Sequence, residues 1–331
     1  MKASTRMMSM RFGLALVCCA AAIGTARAQT YPSKPLRVIV PFASGGAADL
    51  SARALAGPLR EVLGQPVLVD IRAGAGTIVG MLACAKSPPD GYTMCLTQAD
   101  SLSLNPNVYK NLPYDAEKDF IPVIYLVRGI SMLLAKGDAP FNSFKEMIAY
   151  AKSKPGVLNW GTWGPGSIPD VYLQWTRLSS GVNVAAVPYK GAGQTVPAVL
   201  AGEVDITFMS IGAVLPSIKA GKLKSLAIVG GRRTQILPDV PSLAELDGDP
   251  GLRSYFGIFL PAGTPKPIVE RLNASFAKTL QEPHVQDFFR TQTLEIVGGT
   301  AEEFAAFLKE DQGNARRVFK SLGIKPSDAP G

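Results

Sequence analysis

Residues 36 to 60 leave this chain few architectures to choose from. Leu36-Arg37-Val38-Ile39-Val40 is a β-branched apolar run, Pro41 to Gly46 is a turn, and a helical pattern opens directly behind it and continues to Arg60. An apolar strand feeding a helix through a glycine turn is the opening of an α/β layer, in which helices cover a sheet. The same turn presents backbone N–H groups at the positive end of a helix dipole, an arrangement suited to an anion.

The alternation persists. Strands are expected at 36–41, 67–71 and 92–97, with helices at about 48–63 and 76–86. A second series carries a helix at 143–153, strands near 157–160, 183–187, 204–208 and 224–229, and helices near 168–178, 193–201 and 212–220. The tail from Pro265 to Leu322 is mainly helical with a short strand at 294–297. This pattern predicts parallel sheets covered on both faces. Two extended apolar stretches, Ile121 to Leu134 and Arg253 to Leu260, read as crossings between lobes. Lobe 1 is then discontinuous, 29–128 with 255–331, and lobe 2 is the insert 129–254, with a ligand cleft between them.

The first 28 residues read as an export signal. Lys2, Arg6 and Arg11 precede a short apolar run from Phe12 to Ile23, and Ala26-Arg27-Ala28 is a small-x-small cleavage site, so the mature chain is expected to begin at Gln29. A lipid anchor at Cys18 or Cys19 fits less well, because neither follows a small residue in the usual order. No other stretch reaches the roughly 18 continuous apolar residues of a membrane span. An exported protein of the periplasm is the expectation.

The chain holds 34 Lys+Arg against 26 Asp+Glu; loss of Lys2, Arg6, Arg11 and Arg27 with the signal reduces the balance from +8 to +4. The remaining basic residues are scattered and form no stripe interleaved with aromatics, which argues against a nucleic-acid face. Cys84 reads as a buried helix position and Cys95 as a buried strand position, so two free buried thiols are favoured over a pair. With one histidine, His284, at a helix start in the tail, neither a metal site nor a nucleophile with its base can be assembled. Gly74-Ala75-Gly76-Thr77-Ile78-Val79-Gly80 resembles a dinucleotide fingerprint with one extra residue, and Asp100 falls about where a ribose-binding acid stands in such a motif, but the motif does not follow the first strand. No catalysis and no cofactor are expected.

Several short motifs carry a family resemblance that covers nearly the whole mature chain. Tyr31-Pro32-Ser33-Lys34-Pro35, Pro41-Phe42 with Gly45-Gly46, Leu63-Gly64-Gln65-Pro66, Arg72-Ala73-Gly74-Ala75-Gly76, Pro89-Asp90-Gly91-Tyr92-Thr93 and Leu112-Pro113-Tyr114-Asp115 occur in order. Val187-Pro188-Tyr189-Lys190-Gly191, Ala220-Gly221-Lys222-Leu223-Lys224, Leu237-Pro238-Asp239-Val240-Pro241 and Pro261-Ala262-Gly263-Thr264-Pro265 continue the order. Together they resemble the solute-binding proteins of tripartite tricarboxylate transporters, the TctC or Bug type. The resemblance implies a two-lobed Venus-flytrap of type II that binds a small carboxylate and passes it to membrane permease subunits; the protein is expected to be a monomer. A ligand-presenting sensor for a two-component system would use the same fold and closure.

The residues offer anion donors from both lobes. Lobe 1 supplies the turns at Ser44 to Ala48 and Ala73 to Thr77; lobe 2 supplies Gly161-Thr162-Trp163-Gly164-Pro165-Gly166-Ser167. The resemblance assigns the carboxylate clamp to backbone groups of Phe42, Gly45, Gly46, Ala47, Gly74 and Gly76. Ser44, Ala48 and Ala75 belong to the same turns, Thr162, Gly166 and Ser167 to the lobe 2 loop. Read alone, Gly45 and Gly46 equally fit a tight turn, Asp49 fits a helix cap, Ser167 fits an N-cap, and Trp160 fits core packing. The chain departs from the family pattern at Trp163 and Pro165, where small polar residues are usual, and at Met209, where an acid often stands. Apolar bulk in place of an acid points towards an aromatic or otherwise hydrophobic carboxylate.

Overall fold

The opening unit is β1 (Leu36–Val40) followed by α1 (Ala47–Leu63), in a computed structural model that describes residues 31–246 and 248–329. The export signal, its cleavage site and Cys18 and Cys19 lie outside the described residues. Helix α1 buries Ala48, Ala52, Leu55, Leu59 and Leu63 along one stripe and stops at Gly64, whose φ of 70° few other residues adopt. β2 (Val67–Ile71), α2 (Ile78–Ala85) and β3 (Thr93–Thr97) follow, and β1 pairs in parallel with both β2 and β3. A π-helical stretch at Asp100–Leu104 and one short helical turn at Asn105–Val108 lead to β4 (Phe120–Gly129).

Only Ile130 separates β4 from β5 (Ser131–Lys136), which belongs to a different sheet. That sheet grows through α3 (Phe144–Ser153), β6 (Asn159–Thr162), α4 (Ile168–Ser180), β7 (Ala185–Pro188), α5 (Ala192–Ala201), β8 (Ile206–Ser210), α6 (Ile211–Lys219) and β9 (Leu223–Ile228). The chain returns to the first sheet with β10 (Tyr255–Pro261), then adds α7 (Lys266–Thr279), α8 (Pro283–Thr291), β11 (Leu294–Gly298) and α9 (Ala301–Ser321). The six-stranded sheet has the order β11-β4-β10-β3-β1-β2, and the five-stranded sheet β7-β6-β8-β5-β9. The result is a two-lobed α/β molecule.

The sheets are mixed, which corrects the expectation of parallel ones. β10 runs antiparallel to β3 and β4, β11 antiparallel to β4, and β5 antiparallel to β8 and β9. Strands built by a strand-helix-strand unit must be parallel, whereas strands that arrive from the other lobe enter from the opposite end. The cysteine reading is corrected as well: Cys84 on α2 and Cys95 on β3 form a disulfide, with a Cα separation of 6.2 Å. Both are fully buried. Burial and pairing are compatible here, because a helix packed on its neighbouring strand brings two buried cysteines to bonding distance. Trp160 lies in the core and His284 is exposed at the start of α8.

Candidate functional site

Between β2 and α2 the backbone takes an uncommon course. Gly74 has φ 142°, and Ala75, Gly76 and Thr77 follow at 47°, 58° and 78°. Two non-glycine residues in the left-handed region cost on the order of 1 kcal/mol each. Buried hydrogen bonds hold the loop there: Asn105 Nδ2 donates to Gly76 O at 2.9 Å and Ser101 Oγ donates to Thr77 Oγ1 at 2.9 Å. Tyr114 Oη donates in turn to Ser101 O at 2.6 Å. A turn of successive left-handed residues exposes consecutive N–H groups, the geometry of an anion-binding concavity.

The turn after β1 is fixed differently. Asp49, in the first turn of α1, accepts from Gly45 N at 2.8 Å and from Arg53 Nε at 2.6 Å. The acid therefore caps its own turn, and the Gly45 amide is committed to it. Ala43 N donates across the cleft to Lys190 O at 3.3 Å. Ser44 and Gly46 lie against Gly193 of α5, so closely that a Cβ on Gly193 would fall 2.1 Å from Ser44 O.

The lobe 2 loop satisfies itself and then lobe 1. Thr162 Oγ1 accepts from Gly164 N at 3.4 Å, Ser167 Oγ donates to Gly164 O at 2.7 Å, and Gly166 N donates to Asp170 Oδ2 at 2.8 Å. Ser167 holds the N-cap position of α4 but its hydroxyl folds back into the loop. The helix amide of Ile168 donates instead to Asp100 Oδ1 at 2.8 Å, across the cleft. Burial pushes the Asp100 carboxyl up to about 6, against the opposing pull of its bonds from Ile168 N and Gln98. Tyr109 Oη donates to Pro165 O at 3.2 Å, a third bridge between the lobes.

Among the described residues several cavities lie between the lobes: one of about 380 Å³ runs along Gly45, Gly46, Ala47, Gly193 and Gln292, and two others border Trp163 of the lobe 2 loop. The larger of these two, about 200 Å³, lies between the Gly74–Thr77 loop and the Trp163–Ser167 loop, with Phe42, Asp100, Asn105, Tyr109, Tyr189 and Lys190 in its wall. The smaller, about 40 Å³, is lined by Gly46, Ala47 and Ala48 of lobe 1 and by Ser131, Phe208 and Met209 of lobe 2, among others. Phe42 and Trp163 line both. The first cavity thus gathers Phe42, Gly74, Ala75, Gly76, Trp163 and Ser167, and the second Gly46, Ala47, Ala48 and Met209. Ser44, Gly45, Thr162 and Gly166 line neither. A more open depression of about 700 Å³ on lobe 1, around Lys110, Glu117 and Arg316, holds none of these loops.

Sequence reasoning names Thr77 only as the end of the Ala73–Thr77 turn and Lys190 only within a motif, and passes over Asn105, Tyr109 and Ser131. Lys190 was within reach, since its motif precedes a glycine turn into a helix. Asp100 was singled out only as a ribose ligand, and Met209 was taken to leave the cleft without an acid. Asp100 does stand in its wall, with both carboxylate oxygens engaged by Ile168 and Gln98. Among the described residues no group of three His, Cys, Asp or Glu could hold a metal ion. No helix among them is long and apolar enough to cross a membrane.

The family described as the tripartite tricarboxylate transporter family receptor matches residues 51–324. BugT of Bordetella pertussis is 33% identical over 300 residues, 90% of this chain and 92% of that protein. The periplasmic binding protein BugD superposes with a TM-score of 0.85 at 30% identity, covering 90% of this chain and 100% of BugD. An R. palustris protein solved with adipate gives a TM-score of 0.83 at 31% identity, over 90% of this chain and 100% of that one.

Proposed function

The chain belongs to the tripartite tricarboxylate transporter receptor family, whose members are periplasmic solute receptors rather than enzymes, and from that premise we propose that it captures a small organic acid for delivery to the permease subunits of such a transporter. The acid's carboxylate sits in the 200 Å³ cavity on the N–H groups of the Gly74–Thr77 loop, with Lys190 as the basic side chain in the opposite wall. The observation that carries this reading is the strained left-handed loop: four consecutive positive φ angles, held by hydrogen bonds from Asn105 and Ser101, in the wall of a cavity that Lys190 also lines. Strain of that kind persists where a binding geometry is prepared in advance.

Phe42, Tyr109, Trp163 and Tyr189 surround the same cavity, which favours an acid with an aromatic or hydrophobic body. The moving parts are lobe 1, residues 29–128 with 255–331, and lobe 2, residues 129–254. The monomer is exported to the periplasm, with cleavage after Ala28.

Thermal-shift and calorimetric titrations of the mature protein with aromatic monoacids, aliphatic monoacids, dicarboxylates and acidic amino acids test the reading. Carboxylates raise the melting temperature by mass action, and Lys190→Ala lowers their affinity about tenfold. A refolded, ligand-stripped protein that answers to no carboxylate would reject it.

A further inference from the structure

Two residues in the wall of the smaller cavity carry a buried polar atom with no hydrogen-bond partner among the described residues. Ser131 is 2% exposed, and its hydroxyl has no hydrogen-bond partner among the described residues; the indole Nε1 of Trp163 is buried without one as well. A buried hydroxyl or N–H left unpaired is costly, and natural proteins leave few of them. Both residues line this cavity. Phe208, Met209, Phe256 and Leu294 supply most of its remaining wall, with the uncharged polar side chains of Gln98, Ser210 and Ser254 and the start of α1 at Gly46 to Ala48, and no Lys, Arg, His, Asp or Glu lines it.

We propose that this cavity is the subsite for the distal end of the ligand, and that Ser131 and Trp163 select an acid whose apolar body ends in an uncharged oxygen acceptor, a ketone, ether or similar group. The inference rests on the carboxylate reading above, which places the acid's charged end in the larger cavity. Trp163 and Phe42 border both cavities, so a ligand passing between them carries its apolar middle against two aromatic rings. Indole N–H only donates and the serine hydroxyl can donate, so the pair is complemented by an acceptor. A second carboxylate there would lose its hydration with no countercharge among the lining side chains and only the partial charge of the α1 N-terminus to offset it. A neutral oxygen satisfies both groups without that cost. The position of Ser131 supports selectivity: it is the first residue of β5, one residue past the crossing from lobe 1, and lies deep in the cleft wall where closure shields it from water.

Matched pairs of acids test this in the full mature protein by isothermal titration calorimetry: 4-ethylbenzoate against 4-acetylbenzoate, and hexanoate against 5-oxohexanoate, with adipate as the dicarboxylate. The oxo member of a pair is expected to bind at least tenfold more tightly than its hydrocarbon partner, and more tightly than adipate. Ser131→Ala lowers the affinity for the oxo acid five- to tenfold and leaves the hydrocarbon partner within about twofold, because it removes one hydrogen bond and keeps the packing; Trp163→Phe removes ring contact as well as a donor, so it weakens both members and the oxo acid more. Melting curves confirm that both variants are folded. Equal affinity within the pairs, equal losses for both members, or tighter binding of adipate overturns the subsite while leaving the carboxylate reading intact. If Lys190→Ala fails to weaken any acid, or no acid binds the parent protein, the carboxylate reading falls and the subsite with it.

Discussion

At the scale of single residues, Asp100 links the two lobes through the amide of Ile168 while burial disfavours its charge. Its carboxyl is raised from the ordinary 3.8 to about 6, so between those values the folded chain binds a proton that the unfolded chain has released. The stability this contributes is complete below pH 4 and is lost as pH rises through about 6. Asp311, also raised to about 6 by burial, acts in the same direction. Asp100→Asn keeps an oxygen for Ile168 N and removes the charge. Thermal melts from pH 4 to pH 7.5 are therefore expected to coincide for parent and variant at the acid end and to separate by a few degrees in the variant's favour at neutral pH; parallel curves would show that Asp100 does not titrate in this range. Such residues were hard to read in the sequence. Gly74 and Gly76 mark a turn by composition, but nothing in the letters of Ala75 and Thr77 signals positive φ, and Asn105 and Ser101 matter only because the π-helical stretch carries them beneath that turn.

Among elements, α2 and β3 are tied by the Cys84–Cys95 bond, which closes a loop of 11 residues. A crosslink over so short a span contributes about 2–3 kcal/mol in the chain-entropy account. The Cys84→Ala/Cys95→Ala protein, or the parent in reductant, is expected to lose roughly that amount in urea denaturation; an unchanged midpoint would refute the contribution. The helices and strands themselves were legible, because apolar spacing and glycine stops are local: α1 was expected at 48–63 and spans Ala47–Leu63, and β2 was expected and found at 67–71. Strand direction was not legible. Whether β10 runs with or against β3 depends on where the chain has been between them, and residues 131–228 are spent in the other sheet. Pairing of the cysteines was invisible for the same reason, since it is packing between layers that sets their separation.

For the molecule as a whole, the lobes meet where two glycines of lobe 2 approach carbonyls of lobe 1. A Cβ on Gly193 would fall 2.1 Å from Ser44 O, and one on Gly212 would fall 1.8 Å from Gln292 O. Both glycines lie within helices, α5 and α6, where alanine is the better helix former by about 1 kcal/mol. Gly193→Ala and Gly212→Ala are thus expected to preserve or raise the melting temperature while lowering carboxylate affinity more than tenfold, because they oppose the closed arrangement and nothing else. Small-angle scattering with and without ligand reads the same effect as a failure to contract; full affinity in either variant would mean that the lobes need not meet at that point. The six-stranded sheet has a further consequence, for the birth of the chain. Its β10 lies between β3 and β4 and comes from residues 255–261, after the whole five-stranded sheet has been made. A ribosome therefore releases the partners of that strand long before the strand itself, and the half begun first is finished last. Until then β3 has one bare edge and β4, whose other neighbour β11 is made later still, has two, and such edges invite pairing with other chains. The topology thus leaves the first-made half of the protein incomplete until its last strands emerge.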